Sequence, residues 1–194
     1  MAIKTFTSGE VLTASDTNTY LANSGLVYIT RGTITSATAG LVISGCFTST
    51  YDNYRIVIGQ INLNPNPCSL YFRMRSGSTD YSGAAQYWAY NGIQANGTTL
   101  NSTSTLDTSL FTGVISTYPS ELAAVSFDLY APQTASVRTF ATVNTMGYNG
   151  NFYTRNGTVV VDNTTQFDGI SFFTDAAGTP INTLQVTVYG YRKP

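Results

Sequence analysis

The acidic residues are the first candidates for chemistry: Glu10, Asp16, Asp52, Asp80, Asp107, Glu121, Asp128, Asp162, Asp168 and Asp175. Two carboxyl groups brought together in space could serve as the acid and base of a polysaccharide depolymerase. Most of these residues, however, adjoin Asn, Ser, Thr or Gly, the setting in which Asp builds turns. No histidine occurs in the 194 residues, which removes the commonest general base and metal ligand and every Ser-His-Asp or Cys-His arrangement. There is no GxxxxGK[ST] and no GxGxxG after a strand. Asp162-Asn163 with Asp168, or Asp52-Asn53, offers oxygen ligands of the type calcium takes, but neither follows a recognised calcium-loop pattern. The acids therefore read as turn residues, and no catalytic group, metal or cofactor is expected.

Two other residue sets could bind or react. DYSGAAQYWAYNG (80–92) carries Tyr87, the sole Trp88 and Tyr90, beside amide side chains. Such rings serve a protein core, a subunit interface or a glycan contact. Strand alternation sends Tyr87 and Trp88 to opposite faces. Cys46 and Cys68 each lie beside strand-like segments and are expected as buried free thiols, with a bridge between them left open.

The elements that must position these residues are short β-strands. LVYIT (26–30), LVIS (41–44), YRIVIGQINL (54–63), SLYFRMR (69–75), AAQYWAY (84–90) and SLFTGVIS (109–116) form the first series. ELAAVSFDLYA (121–131), SVRTFATVNTM (136–146), VVV (159–161), FDGISFFT (167–174) and LQVTVYGY (184–191) form the second. Their Val, Ile, Thr, Tyr and Phe content suits strands. Ala123, Val125, Phe127 and Leu129 alternate with polar neighbours, as do Leu184, Val186 and Val188, and a third set pairs Val137 with Ala141 and Val143. One apolar and one polar face is the antiparallel pattern. Strands without intervening helices then imply an all-β, antiparallel sandwich or barrel.

Asn-Gly at 91–92, 96–97, 149–150 and 156–157, with Asn-Pro-Asn-Pro at 64–67, predicts the corners. The phrases Tyr-Asn-Gly and Asn-Gly-Thr recur at 90–98 and 148–158, which predicts similar turns on two hairpins. The low-complexity stretch NGTTLNSTSTLDT (96–108) is expected as an exposed loop.

Only 10% of residues are charged, against about 25% in an average domain. A surface of Thr, Ser, Asn and Gly fits a protein that lies against copies of itself, because interface cores are depleted in charge. Net charge is −1 and no basic stripe exists, so nucleic acid is not an expected partner. No apolar run reaches bilayer-spanning length, so membrane insertion is not expected. MAIKTFTSGE lacks an apolar h-region, so export by a signal peptide is not expected either.

A single helix is predicted, ahead of the strands. Thr13 can cap it, Asp16 stands three residues on, and Ser24-Gly25 can end it. Its interior, Asp16-Thr17-Asn18-Thr19, prefers caps and turns, so this helix needs an external surface to hold it.

The segment TFTSGEVLTASDTNTYLANSGLVYI (5–29) resembles the N-terminal segment, in outline TFTAGEVLTAxDVNTYL, of small structural proteins of tailed bacteriophages, cyanobacterial and marine ones included. YDNYRIVI (51–58), LYFRMRSGSTDYSG (70–83), FYTRNG (152–157), FDGISFF (167–173) and the ending VTVYGYRKP (186–194) are similar to stretches of the same group. Thr17 stands where valine is usual and removes one apolar contact from the helix. The resemblance implies a jelly-roll-like β-sandwich spanning residues 26–194, displayed on a virion as a homotrimer and held by an anchoring arm, residues 1–25. It implies a non-enzymatic virion part; the small single domain, charge-poor surface and anchoring arm then make a capsid decoration or cement protein the expectation, with Leu12, Tyr20, Leu21, Leu26 and Tyr28 docking on a neighbouring subunit, the major capsid protein or another virion protein. A tail-fibre or baseplate-associated protein touching a host-surface glycan is the alternative. Tyr87, Trp88 and Tyr90 are then the expected glycan or interface contact.

Overall fold

The computed structural model describes residues 7–11, 13–16, 25–63, 68–115, 123–148, 150–174 and 180–193. These form thirteen strands, and the described helix is one turn, α1 (Ala14–Asp16). The expected helical arm is not seen beyond that turn, and Leu12 and residues 17–24 lie outside the described residues. The same holds for the corner expected at 64–67.

The strands are β1 (Leu26–Ile34), β2 (Gly40–Ile43), β3 (Asn53–Leu63), β4 (Ser69–Ser76), β5 (Thr79–Asp80), β6 (Gln86–Gln94), β7 (Ser102–Asp107), β8 (Leu110–Ile115), β9 (Ala123–Tyr130), β10 (Thr139–Tyr148), β11 (Phe152–Val161), β12 (Gly169–Thr174) and β13 (Ile181–Tyr191). They pair antiparallel into two sheets. The larger has the order β1-β13-β3-β9-β10-β11-β6-β7, and the smaller runs β2-β12-β4-β5 with β8 also on β4.

Side-chain alternation decides which face of each strand is buried. Along β9 and β10 buried and more exposed positions alternate without a break. Ile56, Ile58, Phe127, Val143, Val186 and Val188 of the larger sheet share one core with Leu70, Phe72, Met74, Ile170 and Phe172 of the smaller. Phe72 stacks on Phe127 across that core, with ring centroids 5.1 Å apart. Burying a ring of this size contributes about 2–3 kcal/mol. Val137 departs from the expectation: it precedes β10, is exposed, and leaves Thr139 to begin the buried row.

Two of the predicted corners are not corners. Asn91-Gly92 and Asn156-Gly157 lie inside β6 and β11 and pair with each other, Asn91 opposite Asn156 and Tyr90 opposite Gly157. The recurring phrases therefore mark two strands that lie side by side. Asn-Gly at 96–97 does turn the chain. There the Thr98 amide donates to Asn96 Oδ1 at 3.0 Å and Gly97 takes a left-handed φ of 85°.

The stretch expected as a loop at 96–108 is half strand. Its second part is β7, the edge of the larger sheet, paired with β6. A run of Ser and Thr shows no apolar period, so only pairing with β6 reveals it as a strand.

Candidate functional site

The described acids that follow β1 in the chain are engaged by nearby groups. Asp52 meets Lys193 Nζ at 2.7 Å. Asp80 pairs with Arg75, and Asp162 with Arg138. Asp128 accepts from the Tyr191 hydroxyl at 2.6 Å and lies 3.6 Å from Arg55. Asp168 accepts from the Gly77 amide at 3.1 Å. Asp107 gathers the Trp88 indole N–H (3.3 Å), the Ser104 hydroxyl (3.1 Å) and the Thr108 amide (2.7 Å). These are turn locks and ion pairs, and among the described residues no three His, Cys, Asp or Glu side chains form a group that could hold a metal.

Cys46 and Cys68 are both free and buried. Burial pushes the Cys46 thiol up to about 12, while its sulfur donates to the Ile43 carbonyl at 3.6 Å. A thiol held neutral in this way is a packing group, not a nucleophile.

The aromatic triplet divides as strand geometry requires. Trp88 packs against the core, its ring 5.2 Å from that of Phe111, whereas Tyr87 points to the outer side with Val160 and Thr158. Tyr90 is only 4% exposed and donates its hydroxyl to the Phe111 carbonyl at 2.5 Å. Burial raises its phenol above the ordinary range. This corrects the surface role expected for Tyr90: its ring belongs to the interior.

Beside Tyr90 lies Arg155, 3% exposed on the inner face of β11. Its Nε and Nη1 have no hydrogen-bond partner, and its guanidinium sits 5.7 Å and 5.9 Å from the rings of Phe111 and Tyr153. Desolvation lowers its affinity for the proton. Glycine opposite makes the room: a Cβ on Gly92 would come within 2.6 Å of Arg155 Cγ.

The outer face of the larger sheet has a different character. Register places Ser126, Asn144, Asn156 and Asn91 in one row across β9, β10, β11 and β6. A second row holds Thr142, Thr158, Ala89 and Thr103. Rows richer in apolar groups flank both: Met146, Thr154 and Ile93 with nearby Phe152 on one side, Phe140, Val160 and Tyr87 on the other. Ile93, Met146 and Phe152 border a shallow depression of about 420 Å³. A second, of about 260 Å³, reaches from Val57 across Ser126 and Asn144 to Asn156. The outward positions of β10, β11 and β6 carry no charged residue.

The sequence reading missed this amide row because cross-strand register brings it together. The legible signal was the polar half of the β10 alternation, Thr142 and Asn144.

Of the anchoring residues, Leu26 (42% exposed) and Tyr28 (60% exposed) lie uncovered on β1, the opposite edge strand. Leu12, Tyr20 and Leu21 fall outside the described residues.

No family model matches the chain, and no curated protein matches it. Among solved structures, the marine PL-14 alginate lyase from Aplysia kurodai is similar over 84% of this chain and 80% of its own, at 10% identity and a TM-score of 0.37. A likeness that distant carries no argument about activity, and the chain stands on its own geometry.

Proposed function

We propose that this is a non-enzymatic structural protein of a tailed-phage virion, a capsid decoration protein attached by its N-terminal segment. One observation carries the reading: the described sheet begins at its edge strand β1, where Leu26 and Tyr28, which follow that segment in sequence, are exposed. An apolar pair at a sheet edge, continuous with a segment of poor intrinsic helicity, suits docking on a neighbouring subunit or on the major capsid protein. The engagement of the described acids beyond β1 in turns and ion pairs supports a non-enzymatic reading, and the charge-poor surface supports packing as a homotrimer.

The finer fold we propose is a jelly roll. Removing β5, β6, β7, β10 and β11 leaves the orders β1-β13-β3-β9 and β2-β12-β4-β8, eight strands in two sheets as that fold requires. In this reading β10, β11, β6 and β7 widen one sheet beyond the basic roll.

Copy number on purified virions, by quantitative gel densitometry, tests the assignment. Hundreds of copies per particle agree with decoration, whereas a handful assigns the protein to the tail and rejects the head location. Deleting residues 1–25 tests the anchor: the truncated protein should keep its β circular dichroism and fail to join particles. Incorporation at wild-type stoichiometry would refute it.

A further inference from the structure

We infer that the outer face of β9, β10, β11 and β6 binds an uncharged polysaccharide laid along the row Ser126, Asn144, Asn156 and Asn91. The inference does not rest on where in a virion the protein sits.

Three adjacent strands each present an Asn at the same level, so amides recur at the strand spacing of about 4.8 Å. That repeat is comparable to the length of one sugar ring in an extended chain. The three amides are exposed, and no bond from any of them to another described group is among the structure's side-chain hydrogen bonds, so their donors and acceptors can meet a ligand. The neighbouring row of Thr142 and Thr158 adds hydroxyls of the same reach.

The arrangement selects the occupant. A protein interface has an apolar centre and a polar rim. Here the order is reversed, with amides and hydroxyls in the middle and Met146, Ile93, Phe140 and Tyr87 at the borders. A second protein would have to desolvate the amide row against its own core, which costs about 1–3 kcal/mol for each unmatched group. A chain of sugar rings instead supplies a hydroxyl partner at every step and lays its C–H faces on the apolar borders. Charge narrows the class further: the outward positions of β10, β11 and β6 carry no cation, and the cations nearest to the rows, Arg138 and Arg55, are already paired with Asp162 and Asp128.

The glycan expectation thus moves from Trp88 and Tyr90, which face the core, to the opposite face of the same strands. Tyr87 is the member of that triplet on the binding side.

Affinity electrophoresis of the full-length protein tests this, using gels cast with dextran, laminarin or galactomannan, and with alginate as the anionic probe. At least one neutral polysaccharide should retard the wild type and alginate should not. Asn144→Ala and Asn156→Ala should each weaken the apparent affinity about fivefold, the loss of one hydrogen bond. Val42→Ser, on the other sheet, should leave it unchanged. Thermal melting of each variant checks that these exposed changes keep the fold. The proposal is overturned if no neutral polysaccharide retards the protein, if alginate retards it equally, or if both Asn variants bind as wild type. It is also overturned if sedimentation shows a self-association that the Asn variants abolish, since the face then belongs to a second copy. Variants that lose retardation yet still join particles separate this site from the attachment reading.

Discussion

Gly157 stands directly across from Tyr90 in the β11–β6 pair, and the space its side chain would need is filled by the phenol ring and the Ala89 carbonyl. A Cβ there would lie 2.5 Å from that carbonyl oxygen. Gly157→Ala should therefore destabilise the fold by about 2–3 kcal/mol, the cost of overpacking a rigid site. Urea unfolding monitored by far-ultraviolet circular dichroism measures it, and a change below half a kcal/mol would mean that Tyr90 moves freely.

Arg155 is charged, buried and short of partners, so an apolar side chain of similar length should serve the fold better. Arg155→Met is expected to raise the unfolding free energy by about 1 kcal/mol, because an unmatched buried donor costs about 1–3 kcal/mol and part of that is returned by the aromatic rings. Arg155→Ala should instead destabilise by leaving a cavity. Equal losses in both variants would show that the guanidinium is satisfied.

Cys46 makes stability depend on pH in the alkaline range. Its thiol ionises near 9.0 in the unfolded chain and near about 12 in the folded one. Above the lower value the unfolded state holds fewer protons than the native state, so stability falls as pH rises. The contribution is fully present below the ordinary thiol value, is diminished by about 1.4 kcal/mol at pH 10, and disappears towards the upper value. Unfolding curves at successive pH values should show a shallower decline for Cys46→Ala than for wild type. Parallel curves would refute the assignment.

Tyr54 ties the β2–β3 connection to the sheet. Its hydroxyl accepts from the Thr48 amide and donates to the Thr48 carbonyl, both at 2.6 Å. Tyr54→Phe should cost about 1–3 kcal/mol by removing both bonds from a partly buried site. Hydrogen exchange at the Thr48 amide should accelerate in the same variant, and unchanged exchange would place the restraint elsewhere.

The strand character of most of the chain was legible because alternation is local. Ala123 to Leu129 and Leu184 to Val188 announce their buried faces in any tertiary setting, since successive side chains of a strand must diverge. Low charge and the lack of histidine were equally plain. What failed was the reading of Asn-Gly. That dipeptide permits a turn but also permits a flat strand in which Asn faces water and Gly faces a bulky neighbour, and the choice depends on what lies opposite.

Periodicity and β-branched content need no distant partner, so an all-β chain with antiparallel patterning follows from the residues alone. It takes the folded sheet to bring Asn91 against Asn156, to let Gly92 and Gly157 make room for Arg155 and Tyr90, and to turn a Ser/Thr run into the edge strand β7. The physical reason is register. Pairing residues far apart in sequence is a collective choice of the whole sheet, and one residue of slip would send every amide of the outer row into the core.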